Sequence, residues 1–228
     1  LAAVTAADHG AKVLLFEKMD KVGLKMGITG KGRCNLTNNA PIMDFIAMTP
    51  GNGRFLFSAY KRFNNMDLLS LFHSWGLETK VERGGRIFPA SDDAQEVRHL
   101  FMRLLHEKQV DVHLSEPVLH IQTKKGCAAG VITGKRTYEA DAVILATGGK
   151  SYPRTGSTGD GYRLAGELGH TVTKIRPALI PLVCAEPYCR ELQGLSLKNV
   201  TLALAAGGRR KSEAFGEMIF THFGISGP

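Results

Sequence analysis

Long apolar runs are missing from this 228-residue chain. No stretch approaches the roughly 18 residues that a membrane-crossing helix needs, and none has the layout of a secretory leader. The expectation is a soluble, cytoplasmic protein without a membrane partner. Cysteine is scarce: Cys34, Cys127, Cys184 and Cys189 form neither a CxxC pair nor a zinc knuckle. Such spacing argues against a disulfide scaffold, gives no metal site and suits reduced thiols. Aromatic residues are thin at 7%, with a single tryptophan. That thinness bears on the formal charge of +8. Binding of nucleic acid by stacking needs aromatics interleaved with cations. Here the cations are scattered and Arg209-Arg210-Lys211 is the only tight triplet. A basic surface with a site for a diphosphate is preferred over a nucleic-acid partner.

What is present is an α/β composition, 43% hydrophobic, 22% charged and with 26 glycines. The stretch 140–160, ADAVILATGGKSYPRTGSTGD, organises the rest. Residues 142–146 are apolar and β-branched in the middle, which predicts a strand buried on both faces. It stops at Thr147-Gly148-Gly149, where missing Cβ atoms let the backbone approach a ligand. In an open α/β sheet that strand end is where ligands bind.

Upstream, residues 1–10 read as most of a helix closed by Gly10, and 11–17 (AKVLLFE) as a strand ending in the acid Glu17. Helix, glycine, strand and acid form the back half of a dinucleotide-binding βαβ unit, whose carboxylate bonds a ribose hydroxyl. The segment 22–39 is too rich in Gly, Asn and Thr to predict helix or strand. Its exposed amides, Thr29, Asn35 and the cation Arg33 suit an anion or a flavin's pyrimidine edge. Cys34 reads as a small packing residue before a redox thiol.

Residues 55–76 predict two helices broken near Asn64-Asn65, and 79–81 with 86–88 predict a hairpin around Gly84-Gly85. Asp92 is expected to cap a helix burying Val97, Leu100, Leu104 and Leu105, with His99 and His106 solvated. Then follow a third sheet strand at 110–114, a hairpin over 117–133, a polar loop at 153–161 and a helix at 161–169 with Asp160 at its start. Prolines at 177, 181 and 187 mark a crossover into a ribbon over 200–205 and 214–220 with a basic turn. The chain opens in mid-pattern at Leu1 and stops at Pro228, where a helix would normally open, so an excerpt of a longer protein is expected.

The motifs GITGKGRCNLTN, GGRIFPAS, ILATGGKSYPRTGSTGDGYRLAGELGHTV with RPALIPL, and GEMIFTHFGISGP together resemble the HI0933-like flavoproteins. These are also called the BaiN/RdsA family of NAD(P)/FAD-dependent oxidoreductases. The resemblance covers nearly the whole chain. It implies an FAD-binding doubly wound parallel sheet of the two-dinucleotide-binding-domain type, with an antiparallel hairpin excursion and the start of an inserted, mainly-β domain. Residues 1–175 would form the Rossmann-like domain, without its first strand and glycine-rich turn, and 176–228 the beginning of the substrate-side domain.

Carried over by position, Glu17 resembles the acid on the adenosine ribose, with Lys18 beside it. Lys25, Thr29, Gly30, Gly32, Arg33, Cys34 and Asn35 resemble the segment lining the pyrophosphate and isoalloxazine. Val118 resembles the backbone contact to adenine. Thr147, Gly148 and Gly149 resemble the second glycine motif, and Thr158, Gly159 and Asp160 the following cofactor-facing loop. Lys31 stands where the family's SGGGRCN form has glycine. The resemblance further implies noncovalent FAD, NADH or NADPH as donor and a small-molecule substrate, with no residue singled out as catalytic acid or base. Since the family's phosphate turn is not in this sequence, the chain by itself is expected to hold FAD poorly. The alternatives are a flavin-linked tRNA or other nucleic-acid modifying or binding protein, and a non-catalytic flavin-binding regulator or inactive fragment. Oligomeric state is left open.

Overall fold

The computed structural model describes residues 1–177 and 179–227, which divide into a unit Leu1–Thr173 and a second unit from Lys174 onward. Ala178, within the proline-marked crossover, and Pro228, read as a helix start, lie outside the described residues.

The first unit is built around the helix Ala94–Glu107. Its apolar residues recur at helical spacing, so Val97, Leu100, Leu104 and Leu105 all fall on one buried stripe. They pack with Val4, Cys34, Phe72, Leu77 and Val110. Each such aliphatic side chain contributes about 1.5–3 kcal/mol when fully withdrawn from water. The cap is Asp93, whose carboxylate accepts from the Gln95 amide at 2.8 Å. Asp92, the residue expected there, instead takes a left-handed turn at φ +58 and bonds Lys80 and Arg33. A shift of one position moved the cap because the distant cations claim Asp92.

Strand Leu14–Phe16 follows the helix Ala2–Asp8 and pairs in parallel with Asp111–His113, Phe16 opposite His113. An antiparallel sheet of Val118–Lys124, Cys127–Thr133 and Thr137–Glu139 follows it in sequence, its first hairpin closed by Lys125 and Gly126 at positive φ. A further small sheet joins Thr37–Asn38, Arg86–Pro89 and Thr79–Val81. Helices Phe57–Arg62 and Asn65–Ser74 break as expected, with Asn64 and Asp67 forming a reciprocal capping box. The architecture is a Rossmann-like α/β fold with a parallel pair and antiparallel additions.

Two further local expectations fail. The run 142–146 forms no ladder, and Ile144 and Leu145 are 65% and 40% exposed. Apolar character supplies a face to bury but not the neighbouring backbone that a strand must bond. The segment 22–39, read as irregular, holds a short helix Leu24–Ile28, a tight turn over Thr29–Gly32 and the strand Thr37–Asn38. Packing against Ala94–Glu107 and pairing with Arg86–Pro89 override its weak local propensity.

In the second unit, strands Ser196–Ala206 and Arg209–Thr221 make a long antiparallel ribbon, extended by Gly224–Ser226 and Leu182–Val183. Gly207 and Gly208, both at positive φ, close the ribbon as a tight turn before its cations.

Candidate cofactor site

The strand Leu14–Phe16 delivers Glu17 and Lys18 at its carboxyl end. There the Lys18 ammonium donates to Thr158 Oγ1 and, at 2.6 Å, to Asp160 Oδ2. Thr158 also donates to Asp160 Oδ1 at 3.1 Å. The Lys18 bond holds the Asp160 carboxyl below its ordinary range, against the cost of burial. Residues 142 positions apart thus meet at one edge. The Glu17 carboxylate accepts from the Met19 amide at 2.9 Å, so it turns back on its own loop.

The double-glycine segment lies beside the same loop. A Cβ on Gly161 would sit 2.4 Å from Thr147 Oγ1, and one on Gly148 would be 3.4 Å from Ser157 Oγ. A Cβ on Gly159 would come equally close to the stem of Lys150. The helix Asp160–Glu167 therefore rests directly on residues 145–149, and Asp160 opens it as expected. Arg163 of that helix donates to the Leu119 carbonyl at 2.8 Å, tying it to the strand that begins at Val118. Lys25 reaches Ser151 Oγ at 3.5 Å, linking the helix Leu24–Ile28 to the residue pair after the glycines.

The turn 29–35 is shaped for close approach. Gly30, Lys31, Gly32 and Cys34 all have positive φ, and Lys31 at +60 adopts the conformation that glycine takes freely. A Cβ on Gly30 would meet Phe88 at 2.6 Å. The contacts of this turn run towards residues 82–92. Arg33 bonds Glu82 at 2.8 Å and Asp92 at 3.4 Å, and its guanidinium lies 4.1 Å from the centre of the Phe88 ring. Its charge is already shared. Cys34 is only 3% exposed, and burial pushes its thiol up, so it packs as a protonated side chain. Asn35, with its amide oriented to match donors with acceptors, reaches Thr37 O and Ile87 O.

The residues present suit a dinucleotide. The Lys18 ammonium, the Thr158 hydroxyl and the Asp160 carboxylate meet at the carboxyl end of a parallel strand, and Lys25 reaches the Ser151 hydroxyl just after the glycine pair. Thr29, Gly30, Gly32, Arg33, Cys34 and Asn35 form one packed turn. Lys18, Thr147, Gly148, Gly149, Thr158, Gly159 and Asp160 form a second group, with Lys25 reaching towards it. Sequence reasoning passed over Ser151, Met19, Glu82 and Phe88. Ser151 was within reach of it, since it directly follows the glycine motif. No His, Cys, Asp and Glu cluster among the described residues has the makings of a metal site, and no helix is long and apolar enough to cross a membrane.

Comparison with known proteins shows the family and the fold. The HI0933-like protein Rossmann domain matches residues 1–224. The 3-dehydro-bile acid delta(4,6)-reductase of Clostridium scindens is 36% identical over 100% of this chain and 55% of its own length. The ribosomal RNA dihydrouridine synthase of Escherichia coli is 30% identical, over 98% of this chain and 54% of its own. The chain thus spans about half the length of these curated relatives. The fold is also similar to the open conformation of a flavocytochrome c3 fumarate reductase. That match has a TM-score of 0.52 at 18% identity, covering 87% of this chain and 44% of the other. With its Rossmann domain matched almost end to end, the chain belongs to the HI0933-like family of FAD-binding oxidoreductases.

Proposed function

We propose that this chain is the cofactor-holding part of an oxidoreductase that passes electrons from NADH or NADPH, through noncovalent FAD, to a small organic acceptor. The acceptor would carry a carbon–carbon double bond conjugated to a carbonyl, whose β carbon accepts a hydride. The observation that carries this reading is the meeting of Lys18 with Thr158 and Asp160, which brings together two sequence-distant segments that the family resemblance assigns to one cofactor. FAD, when bound, supplies two-electron chemistry at its flavin ring. Glu17 offers a carboxylate to a ribose hydroxyl by exchanging its bond to the Met19 amide. Lys25 supplies positive charge for the diphosphate, and Lys18, whose charge Asp160 partly compensates, adds a further donor. Arg33 adds less than its type suggests, since Glu82 and Asp92 compensate it. The name of the Clostridium scindens relative, a delta(4,6)-reductase, supports the choice of acceptor.

The test is the visible spectrum of the whole oxidoreductase purified with FAD, followed by anaerobic NADH and NADPH. Flavin bands that bleach with one nicotinamide are expected. Folded protein that takes up no FAD would remove the cofactor assignment, and bands that neither donor bleaches would remove the nicotinamide.

A second reading, with RNA as the acceptor, is favoured by one feature. The strand that leaves the ribbon turn, not the turn itself as the sequence predicts, opens with Arg209, Arg210 and Lys211, and Arg210 is paired to Glu213. The name of the Escherichia coli relative points the same way. Retention of RNA that falls steeply with salt would support it.

A further inference from the structure

Glu116 is the most deeply buried ionisable residue among those described, 1% exposed, and the family motifs give it no part. Every oxygen of its carboxylate is used. Oε1 accepts from Thr133 Oγ1 and from the Tyr138 hydroxyl, each at 2.8 Å. Oε2 accepts from Lys135 Nζ at 2.9 Å and lies 3.4 Å from His113 Nδ1. Thr133 and Tyr138 come from the antiparallel sheet, whereas His113 ends the parallel strand and stacks on Phe16 at 4.9 Å. Tyr138 closes the same cluster edge-on to Phe16 at 4.8 Å. One carboxylate therefore pins two sheets together.

The backbone of this anchor grips the corner where Glu17 and Lys18 stand. The Glu17 amide donates to His113 O at 2.9 Å, the Ser115 amide to Met19 O at 2.9 Å and the Glu116 amide to Glu17 O at 3.1 Å. Ser115 holds φ at +51, a conformation that a non-glycine residue keeps only when its surroundings impose it. Both neighbours of Ser115 on its carboxyl side and across the corner are fixed by these bonds, and the one fixed by a buried side chain is Glu116.

We propose that Glu116 is a positioning residue, whose buried carboxylate fixes the 17–19 corner and so presents Glu17 and Lys18 to the nucleotide end of the cofactor. The inference rests on the reading of that corner as cofactor-facing. The Lys135 bond, against burial and with the help of the Thr133 and Tyr138 hydroxyls, holds the Glu116 carboxyl down at about 2. The anchor is therefore a charged acceptor throughout the neutral range, a role that an amide cannot fill towards Lys135 while keeping both hydroxyl bonds.

The test pairs amide hydrogen exchange with FAD titration on the whole oxidoreductase, for wild type, Glu116→Gln and Lys135→Gln. In Glu116→Gln the amides of residues 17, 19 and 115 are expected to exchange about tenfold faster, with those of Ala94–Glu107 at wild-type rates. The FAD dissociation constant should rise by a similar factor. Lys135→Gln removes one donor from an exposed side chain and keeps the two buried hydroxyls, so it folds even where Glu116→Gln does not. It should show the same local pattern at about threefold. Faster exchange spread evenly over the corner and the helix would overturn the proposal and make Glu116 a general stabiliser, as would no change at all. Local loosening with FAD affinity unaltered would instead overturn the cofactor-facing reading of the corner, while the hold of Glu116 on it stood.

Discussion

Residues 11–17 and 142–146 are nearly interchangeable on paper, each a short apolar run leading to a polar corner. One becomes a strand and the other does not. Leu14–Phe16 finds Asp111–His113 alongside it, with Phe16 stacked on His113 and edge-on to Tyr138. The run 142–146 has no ladder, and what locates it is side-chain and close-packing contact with the helix Asp160–Glu167. A strand is a relation between two segments, and hydrophobicity describes only one of them.

The sharpest way to test this difference is to truncate one side chain in each run. Phe16→Ala should cost about 3 kcal/mol, because it strips the ring that His113 and Tyr138 pack against. Ile144→Ala, at a residue 65% exposed, should stay within about 0.5 kcal/mol. Urea midpoints of the two variants decide the matter, and equal losses would mean that the second run is packed after all.

Adding bulk breaks the comparison from the other side. Gly161→Ala would bring a methyl to 2.4 Å from Thr147 Oγ1. Overpacking of this kind costs about 1–3 kcal/mol, while alanine regains about 1 kcal/mol of helix propensity. A net loss of about 1 kcal/mol in thermal or urea unfolding is expected. A gain would show that residues 145–147 yield freely, as a segment without a ladder can.

Acid provides a third handle, now on the ordered side. Glu116 titrates at about 2 in the folded chain against an ordinary value of 4.5. A depressed folded value means that its contribution is complete above about pH 4.5 and is lost as the pH falls towards 2. The stability difference between wild type and Glu116→Gln should therefore narrow across that window and be flat above it, as read from urea midpoints at pH 6, 4 and 3. A difference that widens in acid would mean the carboxylate is destabilising where it lies.

Smaller still is Lys18→Met. Lys18 and Asp160 are partly exposed, with side chains 23% and 35% accessible, so the pair is worth no more than about 1 kcal/mol of stability. FAD affinity should fall about tenfold if Lys18 faces the cofactor. Loss of stability without loss of affinity would leave the ion pair as a strut.

The candidate site was legible where its chemistry is local. Glycines at left-handed positions, an acid after an apolar strand and an acid opening a helix each carry their reason within a few residues. Partnerships across the fold were not. Arg33 is held by Glu82 and Asp92, 49 and 59 residues away, and nothing near Arg33 announces that its charge is spoken for. Glu116 is a like case: nothing between His113 and Val118 marks it, and only Thr133, Lys135 and Tyr138 make it an anchor.

By itself, then, the sequence determined the periodic and the conformational: the buried stripe of Ala94–Glu107, the break at Asn64, the hairpin turns and the glycine-rich loops. These depend on spacing and on φ preferences that each residue carries with it. Tertiary structure alone decided which apolar run would become a strand, which aspartate would cap a helix and which charges would meet. Those outcomes turn on hydrogen-bond partners and ion pairs that are brought within about 3 Å only when the chain has folded.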